Sequence, residues 1–190
     1  ALFGDTTEVG RDAMQATRVA GLIEKAIQAN PQSTMLTVAL GNVRERQERY
    51  EEASAMYRRG IDLGSRDGVP LNNLAWLTAL RDRQGKKALD LINRAITING
   101  PIPDFLDTRG VAYMVAGENQ RAIEDLEKAV EADSSPAKLV HLAQAYSKAG
   151  DKERAKQNLE LAKVKGLELK SLHPLELTDY RQLLGELGKE

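Results

Sequence analysis

Chemistry needs reactive side chains at defined spacing, and this chain offers few. It has two histidines, His141 in "KLVHLAQ" and His173 in "SLHPLE". Neither has a second nitrogen or a thiolate at metal-ligand spacing, and the chain has no cysteine. Two isolated histidines make no zinc site, so both read as structural or surface residues. Asp104 and Asp107 stand one helical turn apart, with Glu118 further on. A pair of catalytic carboxylates needs surroundings that separate their pKa values. Both aspartates instead fall in the first turn of a predicted helix, where negative charge complements the helix dipole. Capping and solvation are therefore expected of them. "GENQRA" and "GDKERA" read as turns between helices, not phosphate loops. No cofactor, metal site or enzymatic activity is expected.

The elements that hold these residues are helices. Of the 190 residues 42% are apolar and only 4% aromatic, so Leu, Ile, Val and Ala must build the core. Residues 1–100 carry 14 basic and 12 acidic side chains, and residues 101–190 carry 13 and 16. Neither half has the basic surplus that phosphate backbones attract, so no nucleic-acid partner is expected. No apolar run approaches the ~20 residues of a membrane span. The chain opens at Ala1, which fits a piece of a longer protein, and its compartment stays open.

One pattern recurs along the chain. Val19, Ala53, Ala88, Ala122 and Ala155 follow one another at intervals of 34, 35, 34 and 33 residues. Four residues after each anchor stands a larger apolar residue: Ile23, Tyr57, Ile92, Leu126 and Leu159. Seven residues after it stands a small one: Ala26, Gly60, Ala95, Ala129 and Ala162. That spacing draws one stripe along a helix, and a fixed period of this size marks a stacked repeat. Each full unit also has a first helix, in which Gly41, Ala75, Gly110 and Ala143 align. Interior glycine costs a helix about 1 kcal/mol relative to alanine. A small residue at this place in every copy predicts close packing of the first helix on the second. Gly117 and Gly150 follow first helices, where a left-handed residue ends a helix cheaply. Asp151 then reads as the next N-cap.

These residues resemble the tetratricopeptide repeat. The third full unit carries the family's order with Leu106, Gly110, Tyr113, Gly117, Ala122, Leu126 and Ala129. The fourth carries it with Leu142, Ala143, Tyr146, Gly150, Ala155, Leu159 and Ala162. The first departs from it at Arg44 and Glu48, the second has one extra residue between its helices, and the third has Arg109 in place of Leu. "NNLAW" and "FLDT" are similar to pieces of large bacterial multi-repeat proteins. The resemblance implies an all-α fold, a right-handed superhelix of antiparallel helix pairs. Its expected divisions are an N-terminal helix in residues 1–33, full units at 34–68, 69–102, 103–135 and 136–168, and a C-terminal capping helix in 169–190. Tyr180, Leu183, Leu184 and Leu187 should form the buried stripe of that last helix, with Arg181, Gln182, Glu186 and Lys189 facing water.

The resemblance also implies a function. First helices of this family line a concave groove that binds a peptide or helix of a partner protein. Carried over residue by residue, the groove takes Met35, Val38, Asn42 and Glu45 from the first full unit, and Asn72 and Trp76 from the second. The third supplies Asp104, Asp107, Val111 and Met114, and the fourth Val140 and Gln144. Trp76, the only tryptophan, reads as an apolar anchor flanked by amides. Some members clamp a carboxylate tail with Lys and Asn on this face. Here Val38, Asp104 and Thr108 stand where the cations would be, which excludes that clamp. The expected function is a non-enzymatic scaffold with a protein or peptide ligand, homo-oligomer formation remaining possible. The alternative is a structural spacer or self-association segment, whose groove its own chain would fill.

Overall fold

The computed structural model describes residues 5–188, with side chains from residue 13 onward. Among the described residues there are ten α-helices, two short 3₁₀ turns and no strand. The helices are α1 (Asp5–Ala29), α2 (Thr34–Arg46), α3 (Tyr50–Asp62), α4 (Val69–Leu80), α5 (Gly85–Asn99), α6 (Pro103–Ala116), α7 (Asn119–Ala132), α8 (Pro136–Lys148), α9 (Lys152–Val164) and α10 (Leu177–Leu187). The 3₁₀ turns Leu169–Ser171 and Pro174–Glu176 precede α10. The chain forms two compact units, residues 1–74 and 75–190, and α4 runs across the division. Lys189 lies outside the described residues.

In the first unit α2 packs on α1 and on α3. Ala20, Ile27 and Leu40 are buried together, with Ile23, Leu36, Val43 and Met56 against them. Ser33 caps α2, its hydroxyl accepting from the Leu36 N–H at 3.2 Å. Arg44 occupies a place where the repeat prefers an aromatic residue, and it is buried. It pairs with Glu24 of α1 and, at 3.3 Å, with Glu52 of α3, so an ion-pair bridge replaces ring packing. The anchors Ala53, Ala88, Ala122 and Ala155 are each 0% exposed, whereas Val19 is 38% exposed. No first helix precedes α1 among the described residues to cover Val19.

In the second unit α6 pairs with α7 and α8 with α9, while α5 packs on α6 and α7 on α8. Ile92, Leu126 and Leu159 are buried under these pairs. Arg109, standing where the repeat prefers Leu, makes a two-pronged ion pair with the buried Asp125. Nε lies 2.5 Å from Oδ2 and Nη2 lies 2.8 Å from Oδ1. The charge that breaks the pattern therefore arrives with its own counter-charge on the facing helix.

The turns inside the four helix pairs share one backbone device. Gly117 has φ of 81° and Gly150 of 88°. At the corresponding places stand Glu48 with φ of 57° and Arg83 with φ of 53°. All four residues are left-handed, so the turn geometry persists where the glycine does not. Asp151 caps α9 as expected, accepting from the Arg154 N–H at 3.0 Å.

The small residue of the first helix makes room for a side chain. A Cβ on Gly110 would lie 2.5 Å from Cγ of Leu126 on α7, and one on Gly41 would lie 2.6 Å from Cε1 of Tyr57 on α3. The glycine thus admits the large residue four places after the anchor. In the stripe of α10, Tyr180, Leu183 and Leu187 are buried, but Leu184 is 39% exposed. The helix is covered on a narrower arc than the four-residue stripe required.

Candidate functional site

The first helix of each pair supplies the candidate face. In the first unit α2 presents Met35, 75% exposed, then Val38, Asn42 and Glu45 at helical spacing along one side. Three amides join beside it. Asn73 Nδ2 donates to Asn42 Oδ1 at 3.0 Å, and Asn72 Nδ2 donates to Asn73 Oδ1 at 3.1 Å. The Tyr57 hydroxyl lies 2.6 Å from Glu45 Oε2 and 2.9 Å from Asn42 Oδ1. Burial and the neighbouring Glu45 carboxylate push the Tyr57 pKa up, so the hydroxyl keeps its proton and donates. Asn72 Oδ1 is buried and has no hydrogen-bond partner. The row thus runs from the exposed Asn42 inward to a buried end.

In the second unit the same face is covered by the chain's own C-terminal segment. His141 on α8 is buried between two carboxylates. Its Nδ1 lies 2.8 Å from Asp107 Oδ1 on α6, and its Nε2 contacts Glu176 Oε1 ahead of α10. Burial opposes a charge on the ring, but Asp107 and Glu176 more than offset it and push its pKa up to about 10. Burial would raise Glu176 too, yet His141 and the His173 backbone N–H hold it below the usual carboxylate range. The group is an ionic cluster around an imidazolium.

Further contacts fix the segment. The indole of Trp76 lies 5.6 Å from the His141 ring and 6.3 Å, edge-on, from the His173 ring. Asp179 receives a two-pronged pair from Arg83, at 2.7 and 2.9 Å. Ser147 donates to Glu186 at 2.7 Å. Leading into α10, His173 accepts from the Leu175 N–H at 3.2 Å, and Pro174 takes the first position of its turn. The segment packs chiefly on α8 and less on α9.

The predicted residues of this unit separate accordingly. Trp76 is half-buried, while Asp107, Val111, Met114, Val140 and Gln144 are buried. Asp107 is no solvated cap: its carboxylate is committed to His141. Asp104 stays exposed and pairs with Lys138 at 2.8 Å. The role of Glu176 and His141 escaped the sequence reading, although a signal existed. Asp107, His141 and Glu176 are 34 and 35 residues apart, one repeat period each. Residues one period apart stand side by side on successive first helices, so a charge at one place predicts its partner at the next. Arg83 and Asp179 are 96 residues apart, and no periodicity announces them.

No group of three or more metal-ligating side chains is assembled among the described residues. No described helix is long and apolar enough to cross a membrane. The arrangement can hold a polypeptide segment through amides, ion pairs and ring edges, as the second unit does with its own chain.

The tetratricopeptide repeat family matches residues 104–136 and 139–163. None of the curated proteins matches the chain in sequence. Solved structures do resemble it. PilW, a widely conserved type IV pilus biogenesis factor, aligns at 18% identity and TM-score 0.73, covering 95% of this chain and 81% of PilW. A thermophilic tetratricopeptide-repeat protein of Thermus thermophilus aligns at 19% identity and TM-score 0.70, covering 94% and 93%. YrrB, a tetratricopeptide-repeat protein with an unusual peptide-binding site, aligns at 19% identity and TM-score 0.62, covering 92% and 88%. At these identities the likeness is one of fold: helix pairs repeated along the chain.

Proposed function

We propose that this chain, whose residues 104–136 and 139–163 match the tetratricopeptide repeat, is a non-enzymatic scaffold that binds an extended segment of a partner protein on the α2 side of the first unit. The observation that carries the reading is the amide row Asn42, Asn73 and Asn72, which the exposed Asn42 opens to the surface beside the exposed Met35. Side-chain amides match the donor and acceptor spacing of a peptide backbone, so a row of them holds an extended chain whatever its sequence. Met35, Val38 and the half-buried Glu45 beside the row supply an apolar contact and a negative charge for side chains of the bound segment. YrrB has a peptide-binding site, which makes such use of this fold reasonable.

The test is selection of a random peptide library on the intact chain, followed by titration of the enriched peptides. The reading expects binders whose affinity falls roughly tenfold for Asn73→Leu, about 1.4 kcal/mol. No enrichment, or binders indifferent to Asn73→Leu, would contradict it.

The structural-spacer reading draws on a different observation. The face containing Trp76, Val111, Met114 and Gln144 is covered by residues of the chain's own C-terminal segment, as a permanently filled groove would be. It expects no peptide selection at all, and association between copies in light scattering.

A further inference from the structure

The C-terminal segment does not stand where a further helix of the array would stand. α8 packs more on α7, the second helix before it, than on the first helix α6. α10 reverses that order and packs more on α8 than on α9. The residues of α9 account for the difference. On α7, Ile123 is buried and Val130 half-buried; one repeat later α9 carries Lys156 and Lys163 at those places. α9 offers a further helix no apolar seat there, and residues 169–187 turn back across α8 instead. They lie in the groove as a ligand would.

The segment matches the groove in charge. Glu176 contacts His141, Asp179 takes both prongs of Arg83, and Glu186 accepts from Ser147 at 2.7 Å. Hydrogen bonds from Ser147 and Gln182, with Lys148 and Lys152 nearby, hold the Glu186 carboxyl below its ordinary range. Tyr180, Leu183 and Leu187 are buried among these acids. Counted from Glu176, the groove thus takes acids at i, i+3 and i+10 and an aliphatic residue at i+7.

In shape the match is incomplete. A cavity of about 250 Å³ remains between the segment and Leu80, Val111, Met114 and Val115. Gln144 is only 8% exposed, yet its Nε2 has no hydrogen-bond partner, and a buried donor left so costs free energy. Gly185 lies inside α10, where a Cβ would meet nothing within 4 Å. No close approach requires that glycine, and it weakens a helix of 11 residues, a length that is marginal without packing.

We propose that residues 169–187 are a built-in competitor for this groove, and that its other occupant is an acidic amphipathic helix of a partner protein that displaces them. Such a helix brings carboxylates to His141 and Arg83, fills the cavity against Val111 and Met114, and gives Gln144 an acceptor. Only residues 165–168 join α9 to the segment, which keeps the competitor at an effective concentration on the order of millimolar. A partner must therefore fit better than the chain's own segment to open the groove. The inference uses no residue of the amide row, so its outcome and that of the first-unit reading are independent.

The test follows hydrogen exchange of the full chain by mass spectrometry, alone and with an acetylated peptide of residues 169–188 carrying Gly185→Ala. In the chain alone, α10 amides should exchange at least tenfold faster than those of α8, through opening of the segment. Gly185→Ala in the chain should slow α10 exchange about fivefold and weaken peptide binding by the same factor. Added peptide should speed exchange of the chain's own α10 while α6 to α8 stay protected. The full chain with Asp179→Asn, which loosens the segment from Arg83, should bind the peptide at least fivefold more tightly. A peptide that also carries Glu176→Gln and Asp179→Asn should bind at least tenfold more weakly. Exchange of α10 at the rate of α8, peptide binding that leaves α10 protected, or no binding even to the Asp179→Asn chain would overturn the proposal.

Discussion

His141 and Glu176 face each other in the second unit, with the imidazole Nε2 on the Glu176 carboxylate and Asp107 on the opposite ring nitrogen. One buried imidazolium thus ties α6, α8 and the approach to α10 together. Without His141 two acids would be left buried unpaired, and without Glu176 the cation would lose half its counter-charge. Breaking such a cluster from one side is costly because a charge remains without its partner.

This cluster predicts how stability depends on pH. His141 has a folded pKa of about 10 against an ordinary 6.5. A raised pKa contributes stability that is complete below about 6.5 and is lost as pH climbs towards 10. Glu176 has a lowered pKa, so its contribution is present above its ordinary 4.5 and is lost as pH falls below that. Stability should peak near pH 5–6.5 and decline by on the order of 2 kcal/mol by pH 9. Urea unfolding at a series of pH values checks this. Glu176→Gln should flatten both limbs, and a variant whose profile matches the unmodified chain would contradict the assignment.

Gly110 and Leu126 give a second prediction. A Cβ at Gly110 would come within 2.5 Å of Leu126 Cγ, so Gly110→Leu should cost roughly 1–3 kcal/mol by overpacking. Leu126→Ala alone should cost about 2–5 kcal/mol through its cavity. Combined, the two changes should be less damaging than their sum, because the new side chain enters the space the other vacates. Thermal unfolding of the three variants measures the coupling.

Glu48 supplies a third. It holds a left-handed backbone at φ of 57° where Gly117 and Gly150 hold theirs without a side chain. Relief of that strain by Glu48→Gly should raise stability by up to about 1 kcal/mol, partly offset by the greater freedom of glycine in the unfolded chain. Gly117→Ala should lower it by about 1 kcal/mol. Opposite shifts in the urea midpoint are the expected outcome.

Much of the helix pairing was legible because the repeat is carried by size. Ala53, Ala88, Ala122 and Ala155 are small where a second helix meets its partner, and all four are buried without remainder. Departures from the pattern were legible only as departures. Arg44 and Arg109 look like faults until Glu24, Glu52 and Asp125 are seen beside them. The candidate face was harder. Places on a first helix indicate which side chains share a face, but not what lies over them. Val111, Met114 and Gln144 are on that face and buried because the C-terminal segment returns across it, held by Asp179 on Arg83. A contact spanning 96 residues leaves no trace in local periodicity.

Truncation tests that return directly. A chain ending at Gly166 lacks Glu176, Tyr180, Leu183 and Leu187, and it leaves His141 and the Trp76 indole uncovered. Solenoid ends that lose their closing helix associate. Light scattering should show oligomers and unfolding should shift to lower urea. A monomer of unchanged stability would show that the segment closes nothing.

The central claim is that the amide row binds the backbone of a partner segment. It is tested most directly by calorimetric titration of one library-selected peptide into the unmodified chain, Asn73→Leu and Trp76→Ala. The account predicts about tenfold weaker binding to Asn73→Leu, or about 1.4 kcal/mol, and little change for Trp76→Ala, whose indole is already engaged by His141 and His173. Unchanged affinity for Asn73→Leu together with a large loss for Trp76→Ala would contradict it and move the binding site to the face under the C-terminal segment.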